Sequence, residues 1–166
     1  MYIMFQKFKK KKKKVLSLLA PINGTCISLS EVPDEVFSSK MMGDGVAIKP
    51  TSNKLFAPTD GKVTFIAETK HAIGFVTTDG QELLIHVGLD TVSLNGEGFS
   101  LSVEVNQEVR AGEQLLSFNQ TFIEDNQLNL ITPIILLENK NLNLEQLTIG
   151  TDVIAGETII INCTQN

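Results

Sequence analysis

The chain has 166 residues, of which 42% are hydrophobic and 20% charged, with 12 glycines and five prolines. This is the composition of a globular domain, and it excludes disordered and collagen-like chains. Two cysteines are too few for a disulfide scaffold or a cysteine-rich zinc module, which favours a reducing, cytoplasmic setting. Residues 15–166 carry seven basic and 19 acidic side chains, a net charge of −12, so we expect basic protein partners and no nucleic acid.

The first 14 residues, MYIMFQKFKKKKKK, are predicted to form a basic, flexible tail in front of a single domain over 15–166. Met1, Met4, Phe5 and Phe8 fall at the spacing of one helical face. Three roles fit the tail: an anchor on an anionic membrane surface, a solvated lysine segment, and a nucleic-acid-binding arm that nothing downstream supports. The anchor would place a cytoplasmic protein peripherally at the inner face of the membrane. No stretch approaches the roughly 18 apolar residues that span a bilayer.

Short aliphatic and β-branched runs alternate with Gly, Asp, Asn and Pro through the rest of the chain. This pattern predicts an all-β domain, an antiparallel sandwich or barrel, with short helical turns. The predicted strands are 15–20, 61–67, 72–77, 82–87, 101–105, 114–118 and 157–162, and the predicted short helices are 31–37 and 122–128. Ala-Gly-Glu turns at 111–113 and 155–157 are similar to those of lipoyl and biotinyl carrier domains, but the Asp-Lys and Met-Lys-Met signatures of those domains are absent.

The chain has two histidines, His71 and His86, and each lies in a run that alternates apolar and polar residues. Strand geometry sends His86 to the same face as Leu84 and Glu82. If the stretch that contains Asp79-Gly80 is a tight hairpin with Thr77 opposite Gly80, the loop has two residues, His71 lies opposite His86, and the two imidazoles become cross-strand neighbours.

Two adjacent imidazoles are compatible with several kinds of site. Imidazole is a zinc ligand, although a third ligand is not evident. Acid–base or hydrolytic work needs a nucleophile, and no Gly-x-Ser-x-Gly elbow is present. In phosphoryl carriage one neutral imidazole attacks phosphorus while its neighbour donates hydrogen bonds to the phosphoryl oxygens. The fourth alternative is a pair of partly buried histidines satisfied by backbone groups.

Five ordered motifs surround the histidines. They are VPDEVF at 32–37, MGDGVAIKP at 42–50, LFAPTDG at 55–61, TKH at 69–71 and HVGLDTV at 86–92. Together they resemble the glucose-type enzyme IIA component of the bacterial phosphoenolpyruvate-dependent sugar phosphotransferase system. The resemblance runs from about residue 15 to the C-terminus and implies an antiparallel β-sandwich. It also implies that the glycines at 43 and 45 form a loop that brings backbone close to the site.

The resemblance implies that His86 is phosphorylated by the histidine-containing phosphocarrier protein and passes the group to a cysteine of an enzyme IIB domain of a sugar permease. The chain would thus be a transferase component of sugar uptake, with His71 as the catalytic partner of His86. Thr69 matches the position that orients the second histidine, and Asp90 matches an acidic residue close to the active face. Apolar rim positions that dock partner proteins correspond to Val36, Phe37 and Val92.

The resemblance specifies the phosphoryl-transfer chemistry more closely than it specifies the choice of partner or the binding of a metal. Ala67 and Leu84 stand where the best-known members carry phenylalanine, which implies less aromatic packing around the site. No cofactor is implied for the transfer, although a zinc ion can sit between His71, His86 and a partner's carboxylate. Regulatory targets that sense the phosphorylation state are a further class of partner.

Overall fold

The protein is built almost entirely from antiparallel strands. The computed structural model describes residues 14–137 and 142–165. The strands are β1 (Lys14–Leu19), β2 (Gly24–Ser28), β3 (Gly43–Pro50), β4 (Lys54–Phe56), β5 (Gly61–Ile66), β6 (Ala72–Thr77), β7 (Glu82–His86), β8 (Phe99–Leu101), β9 (Glu108–Val109), β10 (Gln114–Phe118), β11 (Thr132–Leu137), β12 (Leu142–Gln146), β13 (Asp152–Val153) and β14 (Ile159–Gln165). The helical elements are α1 (Glu35–Ser38), α2 (Gln120–Asp125) and the 3₁₀ turns Leu29–Glu31 and Thr91–Leu94.

The strands of the described residues form three sheets. An eight-stranded sheet has the order β13-β2-β3-β11-β7-β6-β5-β9, and the two three-stranded sheets have the orders β1-β14-β12 and β4-β10-β8. All the pairings are antiparallel. The predicted all-β sandwich is therefore confirmed.

The large sheet separates two apolar clusters, because successive side chains of a strand point to opposite faces. On β7, Leu83 and Ile85 join the main core, which also contains Leu18 of β1 and Leu55 of β4. Leu84 belongs to a second cluster on the other face of the sheet, together with Phe37 of α1, Ala47 and Ile135. Helix α1 thus covers the outer face of the sheet next to the end of β7.

The β6–β7 hairpin has a different register from the predicted one. Ala72, not His71, lies directly opposite His86. The prediction assumed a two-residue loop, whereas Thr77 N–H donates to Gln81 O across a three-residue loop that ends at Gly80, with φ of +86°. A left-handed third residue is typical of three-residue hairpin loops, and the added residue shifts every pair by one.

A β-bulge on β5 changes the direction of Phe65. Val63 pairs with Phe75, but Phe65 pairs with Gly74, so two residues of β5 oppose one residue of β6 at this point. Strict alternation from the buried Val63 would direct Phe65 into the core. The bulge instead leaves Phe65 51% exposed on the outer face.

The outcome for the other predicted elements follows local turn chemistry. Strands β6 and β10 have the predicted bounds. The predicted strand 101–105 is wrong beyond its first residue, because β8 ends at Leu101 and the chain then turns, with Gln107 N–H donating to Glu104 O. The predicted helix 31–37 is interrupted around Pro33, and α1 starts afterwards with Asp34 as its N-cap. The Asp34 Oδ1 atom accepts the Val36 N–H at 3.0 Å.

The structure describes the N-terminal part of the chain from Lys14 onward. Residues 1–13 lie outside the described residues, so the predicted role of the tail stays a prediction, and the first strand begins at Lys14. None of the helices in the part of the chain that the structure describes is long and apolar enough to cross a membrane.

Candidate functional site

His86 is the last residue of β7, and the loop that follows holds its ring in one tautomer. The Nδ1 atom lies 2.7 Å from the carbonyl oxygen of Gly88. A carbonyl only accepts hydrogen bonds, so Nδ1 carries the proton and Nε2 keeps its lone pair. Gly88 has φ of +78°, and a Cβ atom there would lie 2.5 Å from Cγ2 of Thr91, so glycine is needed for this turn.

His71 precedes β6 in a tight turn and lies beside His86. The turn is closed by Lys70 N–H, which donates to Ala67 O at 2.8 Å. The Nδ1 atom of His71 lies 2.7 Å from Oγ1 of Thr69, and Val87 N–H donates to His71 O. Although the register differs from the prediction, the two imidazoles are in contact, with ring centroids 4.7 Å apart in an edge-on arrangement.

Both imidazoles are in surroundings that favour the neutral form. Burial lowers the pKa of His86, against the opposing effect of the hydrogen bond to Gly88 and the carboxylates of Asp34 and Asp90. Burial also lowers the pKa of His71, and a charge on His86 lowers it further, against the opposing effect of the contact with Thr69. Near neutral pH both rings therefore have an unprotonated nitrogen.

His86 lines a shallow depression of about 280 Å³. The residues that line it are Asp34, Val36, Phe37, Met42, Leu84, His86, Asp90 and Val92. Among these, the Phe37 ring packs at 5.0 Å from the His86 ring, centroid to centroid, and is buried. Val36 and Val92 are half exposed on the rim, where they present apolar surface to solvent. The depression is called the His86 depression below.

The structure brings the predicted site residues together. Thr69 contacts His71, and Asp90 lines the same depression as His86. Of the residues that the sequence interpretation did not select, Asp34 and Met42 also line it. The Pro-Asp-Glu start of α1 was the available signal for Asp34, because it marks a capped helix, but it does not show which loop the carboxylate faces.

One expectation about backbone near the site is wrong. Gly43 and Gly45 do not form a loop but open β3, where they pair with Leu137 and Ile135 of β11. A Cβ atom at either glycine would overlap a carbonyl oxygen of β11. These glycines therefore allow two backbones to approach closely within the large sheet.

The donor set for a metal is incomplete within this chain. The two histidines offer two imidazole nitrogens, whereas zinc in proteins has three or four protein ligands. Over 14–137 and 142–165, no group of three or more His, Cys, Asp or Glu side chains converges. The residues present do not by themselves fit a zinc site.

The fold and the site define a class of protein: a β-sandwich with two histidines in contact, of which His86 lines a shallow, mostly apolar depression and has a free Nε2 atom. The model of the family described as phosphoenolpyruvate-dependent sugar phosphotransferase system, EIIA 1, matches residues 16–142. The chain is also similar to the solved structure of glucose permease IIA from Mycoplasma capricolum, with 41% identity and a TM-score of 0.82 over 89% of this chain and 94% of that chain. The chain belongs to the EIIA 1 family, whose members are components of sugar phosphotransferase systems.

Proposed function

We propose that this protein is a phosphocarrier that accepts a phosphoryl group on Nε2 of His86 from the histidine-containing phosphocarrier protein. The observation that carries the proposal is the Nδ1–Gly88 hydrogen bond, because it leaves the Nε2 lone pair free to attack phosphorus. In the step, the His86 Nε2–P bond forms as the P–N bond of the donor's phosphohistidine breaks. The donor ring, protonated on its other nitrogen while phosphorylated, leaves as a neutral imidazole. His86 keeps its Nδ1 proton, hydrogen-bonded to the Gly88 carbonyl, so the positive charge passes to the phosphorylated His86 ring and no base is required.

We propose that the onward step delivers the group to a cysteine of an enzyme IIB domain. The thiolate attacks phosphorus, an S–P bond forms, and His86 leaves as the neutral imidazole it was before. Positioning and charge stabilisation dominate such transfers. When the Thr69 hydroxyl donates to Nδ1 of His71, the Nε2–H of His71 is available to a phosphoryl oxygen. This contact is the role proposed for His71, with Thr69 as its positioning residue.

The apolar rim supports docking of partner proteins over the histidines. Val36 and Val92 line the His86 depression and are 48% and 54% exposed, and the buried Phe37 lines it beside them. A phosphohistidine must be shielded from water and still meet two partners, and a shallow apolar depression meets both requirements. Asp34 and Asp90 add carboxylates that suit basic partners.

The relay requires no metal. A zinc ion on His71 and His86 would need further ligands from a second molecule, as described above, and would occupy the nitrogen that the transfer uses. Such an ion would act as a regulator of docking and not as a participant in the reaction. Regulatory partners that distinguish the phosphorylated protein by its added charge are proposed on the same surface.

The proposed setting is the cytoplasm, because the phosphoryl donor and the IIB domain act there. The seven lysines within residues 7–14 are proposed to give a peripheral contact with anionic lipid at the inner face of the membrane, at about 1 kcal/mol per lysine near the surface. Flotation with anionic liposomes tests this contact. Equal binding of a chain that lacks residues 1–14 would contradict it.

The test of the relay is an intact-mass measurement after incubation with phosphoenolpyruvate, enzyme I and the histidine-containing phosphocarrier. We expect one acid-labile adduct of about 80 Da on the peptide that contains His86. The His86→Gln variant should carry none. The His71→Gln variant should still accept phosphate but pass it on poorly. An adduct of equal yield on His86→Gln would refute the assignment of the acceptor.

A further inference from the structure

Lys70, between Thr69 and His71, has a backbone conformation that lysine seldom adopts. Its φ is +61°, and for a residue with a side chain the left-handed region is the allowed one at positive φ. Glycine, asparagine and aspartate enter this region most readily, whereas other residues do so at a cost in free energy. Such a backbone persists only where the surrounding structure enforces it, and it occurs most often at functional sites.

A left-handed residue shortens the span between its two neighbours. In an extended chain, Cα atoms two residues apart are separated by about 7 Å. One residue with helical curvature, of either hand, reduces this separation to about 5.4 Å. The Cα atoms of Thr69 and His71 are thus drawn together by more than about 1 Å relative to a strand. The Thr69 Oγ1 atom lies 2.7 Å from Nδ1 of His71 across this shortened span.

Backbone hydrogen bonds hold the turn on both sides of this pair. Lys70 N–H donates to Ala67 O at 2.8 Å. Val87 N–H donates to His71 O at 2.7 Å, which ties His71 to the residue that follows β7. Because His71 is held in this way, a change of φ at Lys70 would move Thr69 relative to His71 and separate the hydroxyl from the ring.

The side chain of Lys70 is exposed and lies along Gly96. A Cβ atom on Gly96 would be 3.7 Å from Cδ and 3.8 Å from Cε of Lys70. Within residues 14–137 and 142–165, the Lys70 ammonium has no ion pair or hydrogen bond. The backbone conformation of Lys70, and not its charge, is therefore the feature connected with the histidine pair.

We propose that Lys70 is a positioning residue, whose left-handed backbone holds the Thr69 hydroxyl on Nδ1 of His71 and so keeps Nε2–H of His71 directed at the phosphoryl group. The proposal rests on the proposed function, which gives His71 its contact with the phosphoryl oxygens. Its effect should be larger on onward transfer than on acceptance. Acceptance depends on Nε2 of His86, and the hydrogen bond of that ring to Gly88 does not involve Lys70.

The test places residues that differ in their tolerance of a left-handed backbone at position 70 of the full chain. Valine is β-branched and disfavours this conformation, whereas asparagine adopts it readily and lacks the lysine charge. Single-turnover assays use the phosphorylated carrier protein as donor and a purified glucose-type enzyme IIB domain as acceptor. We expect Lys70→Val to lower the rate of onward transfer about tenfold and the rate of acceptance less than about twofold, and Lys70→Asn to restore both rates. Lys70→Ala should give an intermediate loss, and it keeps the test valid if Lys70→Val unfolds in a thermal melt.

Asn106→Val is the matched control for backbone strain. Asn106 also has a positive φ, +74°, but it lies in the turn between β8 and β9. Strand β9 pairs with the start of β5, whereas the turn that contains Lys70 follows the end of β5. A valine at position 106 should lower the thermal midpoint as Lys70→Val does and leave both transfer rates unchanged. An equal loss of onward transfer in the two valine variants would overturn the proposal, because general destabilisation would explain both.

A measurement that needs no phosphoryl group separates this proposal from the relay. The nitrogen resonances of the His71 ring in NMR spectra report which nitrogen carries the proton. We expect the Nε2–H form in the wild type and in Lys70→Asn, and a mixture of the two neutral forms in Lys70→Val. An unchanged His71 tautomer in Lys70→Val would overturn the proposal even if His86 accepts phosphate normally. Failure of wild-type His86 to accept phosphate would refute the relay, whereas the tautomer comparison would still decide the role of Lys70.

Discussion

Replacing Gly88 with alanine tests whether one turn sets both the stability of the loop and the tautomer of His86. Gly88 has φ of +78°, and its carbonyl accepts the Nδ1 proton of His86 at 2.7 Å. An alanine Cβ atom would lie 2.5 Å from Cγ2 of Thr91 and 2.9 Å from the carbonyl oxygen of Asn129. Thr91 is fully buried, and its hydroxyl donates to Val87 O, so it has little freedom to move away.

The magnitude follows from two separate effects. A left-handed conformation costs a non-glycine residue about 1–2 kcal/mol. Forcing a methyl group into packed surroundings adds about 1–3 kcal/mol. We therefore expect Gly88→Ala to lower the free energy of unfolding by about 2–5 kcal/mol. If the loop shifts and the His86–Gly88 hydrogen bond is lost, worth about 0.5–1.5 kcal/mol, the rate of phosphoryl acceptance should fall by up to about tenfold.

The control for this substitution is Gly112→Ala. Gly112 also has a positive φ, +86°, but an alanine Cβ atom at this turn would have no atom within 4 Å beyond those of the adjacent residues, so only the backbone effect of about 1–2 kcal/mol remains. Denaturant unfolding of both variants gives the two stabilities, and the rate of acceptance is measured with the phosphorylated carrier protein. Equal losses of stability in the two variants would refute the argument that Thr91 and Asn129 enforce glycine at position 88.

Three further predictions follow from the histidines and cysteines. Thr69→Val removes the hydroxyl that contacts Nδ1 of His71 at 2.7 Å. We expect the rate of onward transfer to the IIB domain to fall about tenfold, and the rate of acceptance by His86 to fall less. Separate single-turnover assays measure the two rates, and equal losses in both would contradict the positioning role. Burial lowers the pKa of both histidines, so below about pH 6.5 the unfolded chain binds more protons than the folded chain. The contribution of the histidines to the free energy of unfolding should therefore be complete above that pH and decrease as the pH falls. The slope of this free energy against pH should be smaller in His71→Gln, and an equal slope would contradict the effect assigned to His71. Burial raises the pKa of Cys163 to about 11, and Cys26 is also buried with a raised pKa. Both thiols should therefore resist alkylation in the native protein and react in denaturant. Mass spectrometry measures the labelling, and rapid labelling of the native protein would contradict the prediction by showing that the core opens.

Much of the site was predictable because its information is local. The spacing of His71 and His86, with a turn signal between them, predicts two neighbouring imidazoles, and the structure has them in contact. The Thr69 hydroxyl is only two residues from His71, and a short turn brings it within hydrogen-bond distance. By contrast, the pairing of His71 with His86 was wrong by one residue, because the register depends on whether the loop has two or three residues.

Contacts between distant segments were not predictable from residue patterns alone. Phe37 packs on His86 because α1 crosses the outer face of the large sheet, and nothing in the local pattern of either residue shows this crossing. Asp34 faces the site for the same reason. The family resemblance implied a role for Phe37 but did not single out Asp34.

The sequence by itself determined the class of fold and the family, since period-two alternation and turn residues are properties of neighbouring positions, and a family resemblance follows from ordered motifs. Only the tertiary structure decided which tautomer His86 adopts, because the Nδ1 atom of His86 meets the carbonyl of Gly88 in a turn that lies close to Thr91 and Asn129. It also decided that Phe65 faces outward, because a bulge opposite Gly74 breaks the alternation that the residues suggest. Strand register, β-bulges and the crossing of a helix over a sheet arise from the balance of many weak contacts along whole elements, and no short run of residues determines that balance.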